Sequence, residues 1–390
     1  MTYIVDIIRT PVGKAPRGVF RHTPPDDLLA HAIASLKQRH LGLDWQAITD
    51  VVIGCAMPEA EQGMNIARIA SLLADLPVSV PAMTINRFCA SGLQSIATAA
   101  RSLPIGGLAL AGGVESMSMV PLGGNKQTVN PKIMMKDYQS IAYGMGITAE
   151  LVADRWAISR EAQDRFAEES HQRAVRAQER GEFRAEITPM QTLYKRADLK
   201  RGEVIVESCE IVQDEGPRAD TSFEAISRLR PVFSRTGTVT AGNSSQMSDG
   251  AGIALLADEE ALKRYQLQPI GRLLSYIVVG VPPEIMGIGP VHAIPLALEK
   301  AGISLDQLDW IELNEAFAAQ ALAVINTLQL PKDKVNPLGG AIALGHPLGA
   351  TGTIRTATLL HGLRRMKGRY GMVSMCIGTG MGAAAVFEAM

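Results

Sequence analysis

Cys89 lies in Asn86-Arg-Phe-Cys-Ala-Ser-Gly-Leu-Gln-Ser, where an apolar extended run from Val80 to Ile85 gives way to a short polar elbow and then to a helix of small residues. A thiol at a helix N-terminus faces backbone N–H groups without intrahelical partners and the positive end of the helix dipole. This placement predicts a sulfur biased toward thiolate, and hence a nucleophile. A buried structural cysteine is the reading this segment alone favours, because free cysteine is among the most buried residue types. Three other segments reverse that balance. His346 stands in Gly345-His-Pro, a constrained turn after a strand with Pro347 suited to the first turn of the next helix, and an imidazole facing a thiol is a base. Cys376 stands in Met375-Cys-Ile-Gly-Thr-Gly-Met-Gly, whose glycines let backbone N–H groups approach a ligand and stabilise a developing oxyanion. Asn314 opens Asn-Glu-Ala-Phe-Ala after the strand Trp310 to Leu313, where its amide either holds a water or carbonyl oxygen or serves as a helix cap.

Two thiols and an imidazole in one cleft define a narrow chemistry. One thiol carries an acyl group while the other moves a proton at carbon, and oriented amides stabilise the enolate formed when a bond beside a thioester carbonyl is made or broken. No carboxylate cluster accompanies the histidine, which disfavours metal catalysis. The glycine-rich runs have neither the Gly-x-Gly-x-x-Gly nor the Walker spacing of nucleotide sites.

These residues lie far apart in the chain, and an internal repeat supplies the elements that would bring them together. At an offset near 260 residues, His31-Ala-Ile-Ala-Ser-Leu is echoed by His292-Ala-Ile-Pro-Leu-Ala, and the strands at Ile48 to Ile53 and Leu308 to Leu313 agree after a two-residue shift. Cys89-Ala-Ser-Gly matches Gly349-Ala-Thr-Gly, and both halves end in an apolar strand running into glycines, at Leu108 and at Met372. Each half therefore reads as strand, elbow and helix, an α/β layered unit, and two such units packed about a pseudo-twofold axis would turn their elbows toward a shared cleft. Leu93, Ile96, Ala97 and Ala100 form the apolar stripe of a tightly packed central helix. Residues 118–245 change texture and read as an inserted loop domain, between a first half of 1–117 plus 246–268 and a second half of 269–390. Within the insert, Thr148 to Ala157 and Ser159 to Arg180 read as helices, with Ser159 as an N-cap, Gly181 as a stop, and charged faces turned to solvent.

With 390 residues, a formal net charge of -1 and pI near 6.7, the chain has no basic field for nucleic acid. Four cysteines without CxxC or Cys/His spacing argue against a disulfide framework or structural zinc, and fit a reducing cytoplasm. The first ten residues read as a strand, and no apolar run reaches membrane-spanning length.

The motifs Asn86-Arg-Phe-Cys-Ala-Ser-Gly, Asn314-Glu-Ala-Phe, Gly345-His-Pro and Cys376-Ile-Gly resemble, in order and spacing, the signature blocks of the thiolase family. The wording around Gly280-Val-Pro-Pro-Glu-Ile-Met and Val335-Asn-Pro-Leu-Gly-Gly-Ala is most similar to its degradative 3-ketoacyl-CoA branch. The resemblance implies a duplicated five-layered αβαβα fold, a homodimer or homotetramer, CoA as a substrate rather than a cofactor, acyl-CoA partners, and a possible β-oxidation multienzyme partner. It also implies roles. Cys89 attacks the 3-keto carbon, His346 activates Cys89 and later the CoA thiol, and Cys376 protonates the departing acetyl-CoA enolate. Asn314 positions a water that, with His346, binds the thioester oxygen, and the N–H groups of Cys89 and Gly378 form the other oxyanion site. Arg218 aligns with a contact to the nucleotide end of CoA, with a surface salt bridge as its alternative, and Ser245 aligns with a contact to the pantetheine. Acetoacetyl-CoA thiolases of this family carry Tyr-His-Met-Gly where this chain has Tyr143-Gly-Met-Gly, which suggests tolerance of longer acyl chains. An acetoacetyl-CoA thiolase remains the alternative, and a decarboxylating synthase a more distant one, because the latter places His or Asn where this chain has Cys376.

Overall fold

The structure, a computed structural model, describes residues 1–126, 130–198 and 200–390; residues 127–129 and 199 of the expected insert lie outside the described residues. Among the described residues the strands are β1 (Thr2–Arg9), β2 (Gly13–Lys14), β3 (Ile48–Gly54), β4 (Ala82–Ile85), β5 (Leu108–Ser116), β6 (Met190–Asp198), β7 (Glu203–Ile211), β8 (Ser248–Asp258), β9 (Gly271–Gly280), β10 (Trp310–Leu313), β11 (Tyr370–Ile377) and β12 (Met381–Ala389). The first half forms a sheet in the order β1-β8-β5-β3-β4, antiparallel across β8 and parallel from β5 to β4. The second half repeats it as β9-β12-β11-β10 with the same directions, and an isolated parallel bridge from Ile311 to Val335 takes the place of β4. The duplication in the sequence is thus a duplication of topology. β1 and β9 pair at Tyr3–Arg272 and Ile4–Gly271, which joins the halves, with β2 added against β8, into a ten-stranded sheet.

Five layers follow from where the apolar faces meet. The helices Pro25–Arg39 and Ile66–Leu73 cover the outer face of the first sheet, through a core that includes Leu29, Ile33, Ile53 and Leu110. The helices Ser91–Ser102 and Leu348–Met366 fill the middle layer, with Leu93, Ile96, Leu359 and Val373 in one cluster. The helices Gly289–Ala301 and Ala318–Leu328 close the far side around Ile294, Val324 and Ile311. β5 is buried at all nine positions because helices cover both faces, which is why it reads as a continuous apolar run rather than an alternating one. The two middle helices touch backbone to backbone. A Cβ on Gly92 would lie 2.7 Å from the Gly349 carbonyl oxygen, and one on Gly352 would lie 2.2 Å from the Leu93 nitrogen. Thr353 Oγ1 donates to the Gly92 carbonyl across the same contact at 3.2 Å.

β5 ends at Ser116 beside Asp249 of β8, so the chain between them leaves and returns at one edge of the cleft. It holds the helices Met145–Arg155 and Arg160–Glu179, the β6–β7 hairpin, and a short helix at Phe223–Ser227. Ser159 caps the second helix by accepting from Ala162 N–H at 3.2 Å, as its sequence indicates. The first helix begins at Met145, ahead of Thr148, behind a Gly144 that makes no side-chain cap and so left no signal. The solvated polar face expected for the second helix holds only in part. Glu161 and Arg165 pair in solvent, whereas Gln163, Asp164, Ser170 and His171 are buried, and Arg173 donates to the carbonyls of Val335 and Asn336 at 2.6 and 3.2 Å. The helix packs against the second half, and its polar side chains satisfy that half's loop backbone. No helix among the described residues is long and apolar enough to cross a membrane.

Candidate active site

Cys89 sits in a single 3₁₀ turn, Phe88–Ala90, between β4 and the helix Ser91–Ser102. Phe88 holds a left-handed φ of +44°, an unfavourable conformation for a non-glycine residue, and its neighbours hold it there. Asn86 Oδ1 accepts from Phe88 N–H at 2.8 Å, and Ser91 Oγ accepts from Arg87 N–H at 2.8 Å while donating to the Phe88 carbonyl at 2.7 Å. The backbone N–H groups of Gly378 and of Cys89 itself lie near the sulfur and favour its charged form.

The second half builds the facing loop in the same manner. The short helix Ala341–Leu344 stops at Gly345, whose φ of +91° and close contact to Ser248 Oγ exclude any side chain. His346 N–H reaches Ser248 Oγ and the Gln246 carbonyl, each at 3.1 Å, and Pro347 is the N-cap of the helix Leu348–Met366. The imidazole is held at both nitrogens: Nδ1 lies 2.7 Å from Thr351 Oγ1, and Nε2 lies 3.3 Å from Asn314 Nδ2. Asn314 is buried after β10 and is not a helix cap, since Phe317 occupies the N-cap position of the following helix; the Asn314 Oδ1 has no partner among the described residues. Glu115 at the end of β5 is fully buried and ties the halves together. It accepts from Ala56 and Gly349 N–H at 2.8 Å, Met57 N–H at 3.2 Å and Gln62 Nε2 at 2.7 Å.

Cys89, His346, Gly378, Ser245 and Arg218 all line one cavity of about 1330 Å³. The sequence therefore named residues that the fold brings together from both halves and the insert. Cys376 and Asn314 are buried beside it rather than on its wall, Cys376 in β11 where Cys89 acts on it electrostatically, and Asn314 against His346. Arg218 stands at the exposed side, paired with Asp220 at 3.1 Å, so the salt bridge and the place on the cavity wall coexist. Its backbone N–H donates to Nδ1 of the buried His171 at 3.2 Å. Lys14 and Lys126 add cations to the lining, and Met57, Met117, Met145, Met247 and Met286 give it a deformable sulfur-rich surface.

The expected bias toward thiolate is overturned. Burial pushes the Cys89 thiol up to about 11, outweighing the backbone N–H groups of Gly378 and Cys89, and the Glu115 carboxylate adds to the rise. Burial, and then the Arg355 guanidinium, hold His346 down at about 3, so the imidazole is an uncharged base at neutral pH. Burial and then Cys89 raise Cys376 well above the ordinary thiol range. The resting site is thus a neutral thiol, a neutral imidazole and a second neutral thiol. Sequence reasoning missed Asn86, Ser91 and Thr351 as the side chains that fix the two elbows. The repeat carried the signal, because Ser91 and Thr351 occupy the same place in the matched Ala-Ser-Gly and Ala-Thr-Gly.

The profile described as "Thiolase, N-terminal domain" matches residues 2–260, and that described as "Thiolase, C-terminal domain" matches residues 267–389. The chain is 49% identical over 389 residues to the 3-ketoacyl-CoA thiolase of Bacillus subtilis (strain 168), covering 99% of this chain and 98% of that one. It is 48% identical over 385 residues to the human peroxisomal 3-ketoacyl-CoA thiolase, covering 97% and 89%. Among solved structures, the dimeric peroxisomal thiolase of Saccharomyces cerevisiae superposes with a TM-score of 0.88 at 40% identity, covering 100% of this chain and 97% of that one.

Proposed function

The chain belongs to the thiolase family, and from that premise we propose that it is a 3-ketoacyl-CoA thiolase, an acyltransferase that cleaves 3-ketoacyl-CoA with CoA into acetyl-CoA and an acyl-CoA shortened by two carbons, as in fatty-acid β-oxidation. The observation that carries this reading is the convergence of Cys89 and His346 on one cavity, with Cys376 buried close enough for Cys89 to act on it electrostatically.

The reaction balances on these groups. Cys89 Sγ bonds to C3 of the substrate as its proton passes to His346, while the N–H groups of Gly378 and Cys89 face the oxygen that becomes charged. The C2–C3 bond breaks, its electron pair stays on C2 as the acetyl-CoA enolate, and Cys376 gives its proton to that carbon. The proton held by His346 replaces the one Cys376 lost. His346 then takes the proton of the incoming CoA thiol, whose sulfur displaces Cys89 from the thioester, and returns that proton to Cys89. The Asn314 amide beside His346 supports the oxyanion of the thioester being attacked. Arg218, with Lys14 and Lys126, would meet the phosphates of CoA, and Ser245 its pantetheine.

The decisive experiment is thiolysis of 3-ketoacyl-CoA substrates from four to sixteen carbons by the purified protein. Cys89→Ala should abolish acyl-enzyme labelling, whereas Cys376→Ala should still pass acyl groups slowly between thiols but lose exchange of the acetyl-CoA methyl protons. Absence of thiolysis at every length removes the proposal, and cleavage of acetoacetyl-CoA alone reduces it to the short-chain reaction.

The buried, disulfide-free cysteines Cys55, Cys89 and Cys376 support work in a reducing cytoplasm. A second copy of the chain would pair along β4, the strand at the edge of the sheet beside β3, near the exposed Leu72, Leu73, Val78 and Met83. Light scattering should then give twice the 41.7 kDa of one chain, or four times it for a tetramer.

A further inference from the structure

The proposed reaction requires His346 to present an unprotonated nitrogen to the cavity, yet a neutral imidazole carries its proton on either of two nitrogens, and nothing in the ring itself strongly selects the useful one. From the hydrogen bonds around the ring we infer that Thr351 is the positioning residue that keeps the proton on Nδ1 and leaves Nε2 free as the base. This rests on the role given to His346 above.

Two independent constraints point the same way. Thr351 Oγ1 has one hydrogen, and it is directed to the Pro347 carbonyl at 3.1 Å, so toward His346 the hydroxyl offers only a lone pair; the 2.7 Å contact is then Nδ1–H donating to Thr351 Oγ1. On the other side of the ring, Asn314 Nδ2 has hydrogens and no lone pair to offer, so the 3.3 Å contact requires Nε2 to accept. Both assignments put the proton on Nδ1. The short bond is the Thr351 one, and the long, replaceable bond is on the side where a thiol proton must arrive.

Position and rigidity suit the task. Thr351 is 1% exposed in the first turn of the helix Leu348–Met366, packed against the helix that begins beside Cys89. Its β-branch restricts χ1, and its bond to the carbonyl four residues earlier fixes the rotamer. Its repeat partner Ser91 makes the same two-sided bond in the other half, accepting from one elbow residue and donating to an elbow carbonyl. The duplicated hydroxyl thus shapes the nucleophile's loop in one half and sets the base's proton in the other.

Nitrogen NMR on protein carrying ¹⁵N-labelled histidine reads the tautomer directly, with His346→Gln identifying the resonances of His346 among the seven histidines. Near neutral pH the wild type should show a protonated Nδ1 and a bare Nε2 for His346. In Thr351→Val, which keeps the branched shape and removes the oxygen, that pattern should be lost or mixed. Its kcat for thiolysis should fall about 10- to 100-fold, as when the partner that orients a metal-bound histidine is removed, with KM little changed. Thr351→Ser should restore the wild-type nitrogen pattern and most of the rate. A wild-type spectrum with the proton on Nε2 overturns the inference even if Thr351→Val does not fold, and so does a folded Thr351→Val with unaltered tautomer and rate. Because the spectrum needs no substrate, a protein inactive toward 3-ketoacyl-CoA but showing the Nδ1 tautomer would sink the proposed activity and leave the assignment of Thr351 intact.

Discussion

At the scale of single residues, the site is defined by what burial does to charge. Cys89 at about 11 predicts that alkylation by iodoacetamide, followed by mass spectrometry, climbs about tenfold per pH unit from pH 8 to pH 10, because the thiolate is the reacting form and its fraction is still small there. A plateau near neutrality would show that the helix terminus outweighs burial after all. The identities of Cys89, His346 and Cys376 were legible, since their residue types and the turns around them are local facts. Their charge states were not, because desolvation depends on what the rest of the fold places over them. The same limit explains Arg218. Its place on the cavity wall depends on where the insert docks, while its exposed partner Asp220 lies two residues away in sequence. Gly144 belongs to this scale too, for a Cβ there meets nothing within 4 Å and the residue lines the cavity. Gly144→His should therefore fold normally, keep acetoacetyl-CoA cleavage, and lower kcat/KM for 3-ketohexadecanoyl-CoA by about tenfold or more, the scale of a single steric exclusion in a pocket. Equal effects on both substrates would show that the acyl chain does not pass that position.

At the scale of elements, the contact between the two middle helices sets the geometry of the cleft, since each helix begins at one of the two elbows. Gly92→Ala and Gly352→Ala force a methyl group against backbone that has no rotamer to move, and each should cost about 1–3 kcal/mol or more. Thermal melts should show this as a clear loss, with Gly42→Ala, where the added Cβ meets nothing, close to wild type. Glu115 links the same elements from the side. Glu115→Gln would replace one carboxylate oxygen with an amide facing N–H donors, and denaturant unfolding should report a loss of about 1–3 kcal/mol, the cost of leaving buried donors unmet. The small residues of the central helix were readable as tight packing, but not which glycine meets which carbonyl. The buried polar face of Arg160–Glu179 was unreadable for a related reason: Arg173 and Ser170 look like surface until the loop from Val335 to Gly340 lies against them.

At the scale of the whole molecule, the repeat was the most informative pattern in the chain. Four matched segments in order foretold a strand, elbow and helix repeated in each half, and the structure adds that β10 is short and that Val335 supplies only a bridge where β4 stands in the first half. The cavity could not be drawn from the repeat, because much of its wall comes from the insert, which has no counterpart. This division of labour has a consequence for how the protein should respond to its medium. Burial holds Cys89, Cys376 and His346 uncharged at rest, whereas the cavity also bears Lys14, Lys126 and Arg218. Dissolved salt screens exposed charges strongly and buried neutral groups hardly at all. Ionic strength should accordingly separate capture from chemistry: added potassium chloride raises KM for the CoA thioester while kcat stays level, so that a simple titration tells the charged parts of the cavity from its uncharged centre.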